Sequence, residues 1–185
     1  MALIAFRKLR WKKVRIYKTD LYIGRIRSML FDPKNLVCTA CEVIRSPLSR
    51  KFIVPSDQLT FTSREPQTTI GKENVPQVDK VDGIKILSTS VYTETGMFIG
   101  NVEDFLFDAN NLSLIQIDVE KRFLFSKLQS FLIHRSEIVK VEAHRIIVKD
   151  DILLDRAGGS GLLSPRIDWQ AVQTKTLHTR KPEII

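Results

Sequence analysis

The sequence predicts an all-β protein made of two tandem small antiparallel β-barrels, followed by a basic, partly flexible C-terminal extension. Two observations carry this prediction: one segment occurs twice, and in both copies short apolar runs alternate with polar turns. Such short strands at regular spacing are typical of small barrels, and closure removes the exposed edges of a sheet. We therefore expect barrels over residues 1–65 and 81–155, a polar linker over 66–80 and the extension over 156–185.

The repeat appears when the chain is slid against itself by 76 positions. Eight identities then fall within 21 positions without a gap: Ile23/Ile99, Gly24/Gly100, Leu30/Leu106, Phe31/Phe107, Asp32/Asp108, Asn35/Asn111, Leu36/Leu112 and Val43/Val119. After three extra residues in the second copy, residues 52–54 match 131–133. A period this long exceeds a solenoid unit, so we infer duplication of a small domain.

Within each copy, two apolar runs flank a four-residue polar turn, which predicts a hairpin. The turns are residues 32–35 and 108–111, and each ends in Asn, a residue that tolerates positive φ. The apolar pattern over 99–107 alternates imperfectly, which indicates a bulge or a switch of face. The polar segment 142–145 lies between two further apolar runs and predicts a second hairpin.

Composition excludes several classes of protein. Apolar residues make up 43% and charged residues 27%, as expected of a globular chain. The longest uncharged run, residues 109–117, is far shorter than the roughly 20 residues of a membrane-spanning helix. The apolar start, 1–6, meets charge at once and does not resemble a secretory signal. Two cysteines cannot form a disulfide scaffold, so we expect a cytoplasmic protein, with peripheral attachment to a membrane left open.

Positive charge is concentrated in the first copy. Residues 1–80 contain 16 Lys or Arg and 7 Asp or Glu, whereas residues 81–155 contain 8 and 12. The densest patch surrounds one tryptophan: Arg7, Lys8, Arg10, Trp11, Lys12, Lys13 and Arg15. Such a patch fits nucleic acid, anionic lipid or an acidic protein, and equally a solvated basic strand without a partner.

The start of the chain has two interpretations. Leu9, Trp11, Val14 and Ile16 suit strand entry into the first barrel, which we favour. The alternative is an interfacial helix with Leu3, Phe6 and Leu9 on one side, but that apolar stripe is short.

Motifs for catalysis and metal binding are weak. The pair Cys38 and Cys41 lies in a predicted strand, where residues three apart face opposite sides, and a zinc site would need two further ligands. Glu103 and Asp104 are adjacent on a strand and do not make an acid–base pair. No nucleophile motif is present, and the glycines at 158–161 lack the ending of a phosphate loop. We therefore expect no enzyme activity, cofactor, metal or small-molecule substrate.

The second copy resembles the PRC-barrel family. Residues 96–100 form a small-residue turn, Val102, Asp104 and 107–108 follow, and 132–138 resemble the family's strand entry. In the first copy, 54–59 keep the proline and both apolar positions of that entry, whereas Asp20 replaces Gly96 and Ser28 replaces Asp104. Aspartate tolerates the left-handed turn better than most residues, so we expect the turn to survive.

The resemblance implies a noncatalytic module that docks on other macromolecules, and it transfers no catalytic residues. We expect an adaptor that binds protein partners through the outside of its barrels, with Phe123 and Phe125 as candidate apolar contacts. The alternative is binding of RNA or a ribosome precursor through the basic first copy. A further alternative is a scaffold attached to an anionic membrane surface.

Overall fold

The computed structural model describes residues 2–16, 20–46, 51–61, 66–68, 82–123 and 126–153. These residues form two seven-stranded sheets. The first half of the chain provides β1 (Leu3–Ala5), α1 (Phe6–Leu9), β2 (Lys13–Ile16), β3 (Tyr22–Phe31), β4 (Cys38–Ile44), β5 (Phe52–Pro55), β6 (Leu59–Phe61) and β7 (Pro66–Thr68). The second half provides β8 (Ile84–Lys85), β9 (Ser90–Thr93), β10 (Phe98–Asp108), β11 (Leu114–Phe123), β12 (Ser126–His134), β13 (Ile138–Val141) and β14 (Arg145–Val148).

The two sheets have the same strand order. One runs β5-β4-β3-β2-β7-β6 and the other β12-β11-β10-β9-β14-β13. Neighbours along each path are antiparallel, except for the parallel pairs β2–β7 and β9–β14. Even the bulges correspond, because β3 slips against β4 next to Ile26 and Leu30, and β10 slips against β11 next to Val102 and Leu106. The repeat in the sequence is therefore a repeat in the backbone.

The predicted closure into barrels is wrong. In the described part of the chain, β5 does not pair with β6, and β12 does not pair with β13, so both sheets stay open. Each sheet instead accepts a short strand from the other half: β1 pairs with β10, and β8 pairs with β3. β9 pairs with only the first part of β10. Residues 3–5 pair with the remaining part of the same edge, and this contact protects the edge as closure would.

The exchange of strands is reciprocal. Ile4 lies opposite Phe107, and Ile84 lies opposite Phe31. Phe31 is the equivalent of Phe107 in the first half. Between the halves, the Cys38 N–H donates to the Leu112 carbonyl at 2.9 Å and the Leu114 N–H donates to the Leu36 carbonyl at 2.8 Å. Each of these bonds maps onto the other when residue numbers are shifted by 76. The halves are therefore related by a local twofold pseudosymmetry.

The start of the chain follows neither prediction completely. Val14 and Ile16 enter the first sheet as expected, but residues 3–5 join the second sheet and residues 6–9 form one helical turn. This turn interrupts the pseudosymmetry, since β1 and Leu9 are separated by three more residues than β8 and Ile86. The extra residues bring Phe6 against the second half.

An aromatic cluster joins the halves. Phe6 stacks on Phe105 with ring centroids 4.8 Å apart, and Phe31 meets the same ring edge-on at 5.2 Å. Phe61 contacts Phe107 at 5.6 Å. All but Phe61 are fully buried, and burial of each such side chain contributes about 1.5–3 kcal/mol.

The turns are where they were predicted, with one difference in conformation. Leu36 and Leu112 adopt positive φ, of 52° and 58°, rather than the preceding asparagines. At the other hairpin, Asp20 and Gly96 are both left-handed, as expected. The left-handed Trp11, with φ of 70°, corresponds to Ser88, with φ of 64°. The duplicated backbone therefore requires these conformations whichever residue occupies the position.

The predicted linker begins with a strand. Residues 66–68 form β7, which pairs with β2 and β6, so the first sheet extends beyond residue 65. The rest of the predicted linker, residues 69–80, and the predicted basic extension, residues 156–185, lie outside the described residues. Among the helices that the structure does describe, none has the length and apolar character needed to span a membrane.

Candidate interaction surfaces

The outer surfaces of two equivalent strand pairs carry the clearest candidate sites. In the first half this is the pair β2–β3, and in the second half it is the pair β9–β10. Val14 and Ile16 face the core, so the alternation of side chains directs Lys13 and Arg15 outward. The same alternation directs Ser90 and Tyr92 outward on β9.

In the first half, this outer surface is cationic and has an aromatic residue at each end. We call it the basic face, and its members are Trp11, Lys13, Arg15, Tyr22, Arg25 and Arg27. Lys13 lies opposite Arg25, and Arg15 lies opposite Tyr22. The Arg25 guanidinium donates to the Trp11 carbonyl at 3.2 Å, which ties the aromatic end to the strand.

The predicted basic patch is only partly the same surface. Lys13 and Arg15 belong to the basic face, Trp11 forms its end, and Arg10 lies 5.8 Å from the Trp11 ring centroid. Lys8 and Lys12 are exposed beside it. Arg7 instead contacts the other half: its backbone N–H donates to Asp104 Oδ1 at 3.0 Å, and its guanidinium lies 3.4 Å from Oδ2.

Sequence reasoning missed Tyr22, Arg25 and Arg27. They lie seven to twelve residues after Arg15, the end of the dense run of charge, and become neighbours of Lys13 and Arg15 only through antiparallel pairing. The signal was present, because β3 alternates exposed Arg25 and Arg27 with buried Ile26. A search for continuous charge runs does not detect such a pattern.

In the second half, one row of the equivalent surface is apolar. Phe98 lies opposite Tyr92, and Tyr92 lies opposite Ile147, so the three side chains form a row across β10, β9 and β14. We call these three residues the apolar row. The Phe98 and Tyr92 rings are 5.4 Å apart, and Met97 beside them is 57% exposed. The corresponding residues on β3 and β2 of the first half are Tyr22 and Arg15.

An open groove of about 940 Å³ lies along this row. Ser90, Tyr92 and Ile147 line it from the strands, and two turns, 93–96 and 142–145, line its remaining sides. The groove thus combines an apolar strand surface with polar turns, a composition suited to binding a side chain or a short segment of another molecule.

Glu142 in this groove is held as a carboxylate by two cations. Arg145 Nε lies 2.6 Å and Lys140 Nζ 2.8 Å from its oxygens. The hydrogen bond from Arg145, followed by that from Lys140, lowers the pKa of Glu142 to about 2. A carboxylate with such a low pKa is a poor proton acceptor at neutral pH, so it stabilises the turn rather than serving as a general base.

Glu103 and Asp104, the two carboxylates that are adjacent on β10, have separate structural roles. Glu103 is exposed and lies 3.1 Å from Arg122. Asp104 is buried and also accepts from the Phe105 N–H at 2.9 Å. Burial raises the pKa of Asp104 above its usual value, although the bonds from Arg7 and Phe105 and the charge of Arg7 act in the opposite direction.

The two cysteines lie on one side of their strand, contrary to the prediction. A bulge at Thr39 sets Cys38 opposite Phe31 and Cys41 opposite Met29, so three positions along the chain amount to two on the strand. Both thiols are buried. A hydrogen bond between them, together with burial, raises the pKa of Cys41 well above its usual value. Among the described residues, no group of three or more His, Cys, Asp or Glu side chains is placed to hold a metal ion.

The predicted apolar contacts at the end of β11 are not tested. Phe123 is the last residue of that strand, where its backbone pairs with Ser126. Phe125 lies outside the described residues. The apolar row occupies a different part of the sheet and was not predicted.

Comparison with known proteins supports the family resemblance of the second copy. Residues 79–154 match the PRC-barrel domain family. The match covers the second half of the repeat only. No curated protein matches the chain.

Proposed function

We propose that the protein is a noncatalytic adaptor that binds a protein partner through its second half. The observation that carries this proposal is the apolar row, in which Phe98, Tyr92 and Ile147 lie side by side on the outer surface of a sheet. Aromatic residues contribute most to binding when they cluster at the centre of an interface. The groove beside them fits an apolar anchor side chain on a segment of the partner.

The polar groups around the row support binding rather than catalysis. The Glu142 carboxylate is neutralised by Arg145 and Lys140, and the groove is open rather than enclosed. Binding through such a surface would surround an apolar centre with a charged rim, as is usual for protein interfaces. The PRC-barrel match over residues 79–154 is consistent with a protein-interaction module of this kind.

We also propose that the first half is a second PRC-type domain. The support is structural, since both sheets share strand order, bulge positions and left-handed turns. On this interpretation the duplication provides two equivalent outer surfaces with different residues, and only the second is apolar.

Site-specific photocrosslinking in the native host tests the adaptor proposal. A photoreactive phenylalanine at position 98 should crosslink one defined protein, whereas the same residue at the equivalent position 22 should not. The purified partner should then bind the wild-type protein at least about tenfold more tightly than the Tyr92→Arg variant. Arginine occupies the equivalent position 15, so this change is compatible with the backbone.

Three results would argue against the adaptor. Crosslinking could be absent at position 98, or it could be equal at positions 22 and 98. The captured protein could also bind the Tyr92→Arg variant as tightly as the wild type. Circular dichroism of each variant shows whether the fold is retained.

A further inference from the structure

We infer that the basic face of the first half is a second binding site, and that it binds single-stranded nucleic acid. This inference does not depend on the adaptor proposal, because it concerns different residues on the other half of the molecule. Four observations carry it: the placement of the cations, their contrast with the second half, the conformation of Trp11 and the burial of α1.

The fold does not require cations on this surface. At equivalent positions of the second half, the four cations of the basic face are replaced by neutral residues and one acid: Lys13 by Ser90, Arg15 by Tyr92, Arg25 by Asn101 and Arg27 by Glu103. Both strand pairs have the same register, so the charge is not needed for folding. Lys12, Lys13 and Arg27 form no ion pair in the part of the chain that the structure describes.

Trp11 is held in a conformation that is unfavourable for a bulky residue. Its φ is 70°, and a left-handed backbone costs roughly 1–2 kcal/mol for residues with a Cβ. The equivalent Ser88 shows that a small residue fits the turn. The Trp11 side chain is nevertheless 44% exposed, so burial offsets this cost only in part. An indole displayed at such a cost is explained by a ligand that stacks on it.

The layout fits a nucleic acid strand. Trp11 and Tyr22 lie at opposite ends of the basic face, with Lys13 and Arg25 between them and Arg15, whose guanidinium lies 3.1 Å from Asp20 Oδ2, beside Tyr22. Lys13 and Arg15 are two residues apart on β2, which spans about 7 Å. Cations would contact successive phosphates while the two rings stack on bases. The faces of bases become available in this way when the strand is unpaired.

A membrane surface explains the same residues less well. An interfacial helix inserts its apolar side chains into the lipid, but Phe6 and Leu9 of α1 are only 1% and 5% exposed. Phe6 stacks on Phe105 of the second half instead. The exposed apolar residues of this region, Trp11, Leu21 and Tyr22, form no continuous face, because Lys13 and Arg25 separate Trp11 from the other two.

Fluorescence anisotropy with labelled oligonucleotides tests the inference. The probes are an oligouridylate and an oligothymidylate of about 12 nucleotides, and an RNA duplex of the same length. We expect both single strands to bind more tightly than the duplex at low salt. If only the oligouridylate binds, the ligand is RNA, and if both bind equally, the site does not distinguish RNA from DNA.

Two variants with the same change in net charge locate the site. Lys13→Ser with Arg25→Asn gives the first half the residues of the second, and Ser90→Glu with Asn101→Glu alters the equivalent positions of the second half. The first variant should reduce affinity at least about tenfold and lower the slope of log affinity against log salt by about 1.4, because two phosphate contacts are lost. The second should leave binding within about twofold of the wild type.

Trp11→Ser separates recognition from folding. It should leave the free energy of unfolding within about 1 kcal/mol of the wild type, because Ser88 occupies the equivalent left-handed position in the second half, while affinity for the single strand falls about tenfold. The inference is overturned if neither single strand binds at low salt, if the duplex binds as tightly, if both charge variants weaken binding equally, or if Trp11→Ser binds normally. Pelleting with phosphatidylserine vesicles, without oligonucleotide binding, would also overturn it and assign the face to a membrane.

Discussion

Equivalent strand pairs in the two halves present opposite chemistry to solvent. Across β3 and β2 the facing residues are Tyr22 and Arg15, whereas across β10 and β9 they are Phe98 and Tyr92. The register of the backbone is the same in both. Residues that face the core maintain that register, so residues that face outward are free to differ. This duplication therefore preserves a scaffold, while the two outer surfaces take separate roles.

The halves nevertheless depend on each other for folding. Each sheet includes one strand from the other half, and the aromatic cluster spans both. In this arrangement, residues of an outer surface can be substituted at little cost in stability, whereas residues of an exchanged strand cannot. The largest effects of mutation are therefore expected at the exchanged segments, and the smallest at residues confined to one half.

Phe6→Ala should produce the largest loss of stability among the single changes considered. The side chain is 1% exposed and stacks on Phe105, so its removal leaves a cavity between α1 and the second sheet and costs about 3–5 kcal/mol. Urea unfolding measures the change. Lys8→Ala, on the exposed side of the same turn, should lie within about 0.5 kcal/mol of the wild type. A loss below about 1 kcal/mol for Phe6→Ala would show that the exchange contributes little to stability.

Much of this architecture could be predicted from sequence, but the exchange could not. Identities such as Phe31/Phe107 and Asp32/Asp108 mark the repeat because they occupy buried or turn positions that the fold constrains. Residues 3–5 and 84–85 are apolar enough for a strand, yet nothing in their sequence indicates which sheet they join. Local patterns specify the type of element, whereas the partner of a short strand is decided by long-range packing.

The candidate sites could be predicted from sequence less completely than the fold. The run of charge from Arg7 to Arg15 was visible, but antiparallel pairing adds Tyr22 and Arg25, while the exposed Arg7 contacts Asp104 of the other half instead. The apolar row was not visible, because its three members lie on three strands and each is an ordinary strand residue. The bulge at Thr39 was missed for the same reason, since the partner strand defines it.

Gly24 and Gly100 occupy equivalent positions in the two halves, and both leave little room for a Cβ. A Cβ at Gly100 would lie 2.5 Å from the Glu120 carbonyl oxygen, and a Cβ at Gly24 would lie 2.6 Å from Val43 Cγ1 and 2.8 Å from the Ile44 carbonyl oxygen. Both Gly→Ala changes should destabilise by about 1–3 kcal/mol through overpacking. Gly100→Ala should cost more, because its nearest contacts are all backbone atoms and its φ is positive.

Thermal and urea unfolding of the two alanine variants provide the measurement. Gly96→Ala is a useful companion, since nothing lies within 4 Å of its Cβ position and only its φ of 87° opposes the change. If Gly24→Ala proved more damaging than Gly100→Ala, close packing in the two halves would not be equivalent.

Asp104→Asn should change how stability depends on pH. Asp104 is a position where the halves differ, because Ser28 is its equivalent, and burial raises the pKa of its carboxyl above 3.8 in the folded protein. A raised acid pKa contributes stability that is present below the unfolded pKa and is lost as pH rises through the folded pKa. The asparagine Oδ1 still accepts from the Arg7 and Phe105 N–H groups.

The stability of Asp104→Asn relative to the wild type should therefore increase as the pH rises from below 3.8 through the raised pKa of Asp104 and then remain constant. Urea unfolding at several pH values gives this difference. Ser28→Ala, which introduces no titrating group at the equivalent position, should show no such trend. A relative stability of Asp104→Asn that falls with pH would mean that the attraction of Arg7 outweighs the burial of the carboxylate.

Cys38 and Cys41 should be unreactive in the folded protein, the smallest effect expected here. Their equivalents Leu114 and Ile117 are core residues, and both thiols are buried against Phe31 and Met29. The raised pKa of Cys41 keeps that thiol neutral beyond its usual value of 9.0, and a neutral thiol is a poor nucleophile. A chromogenic disulfide reagent at about pH 8 should label neither cysteine before unfolding and both in denaturant. Rapid labelling of the folded protein would break the equivalence with Leu114 and Ile117, because the pair would then be an accessible chemical site that the second half lacks.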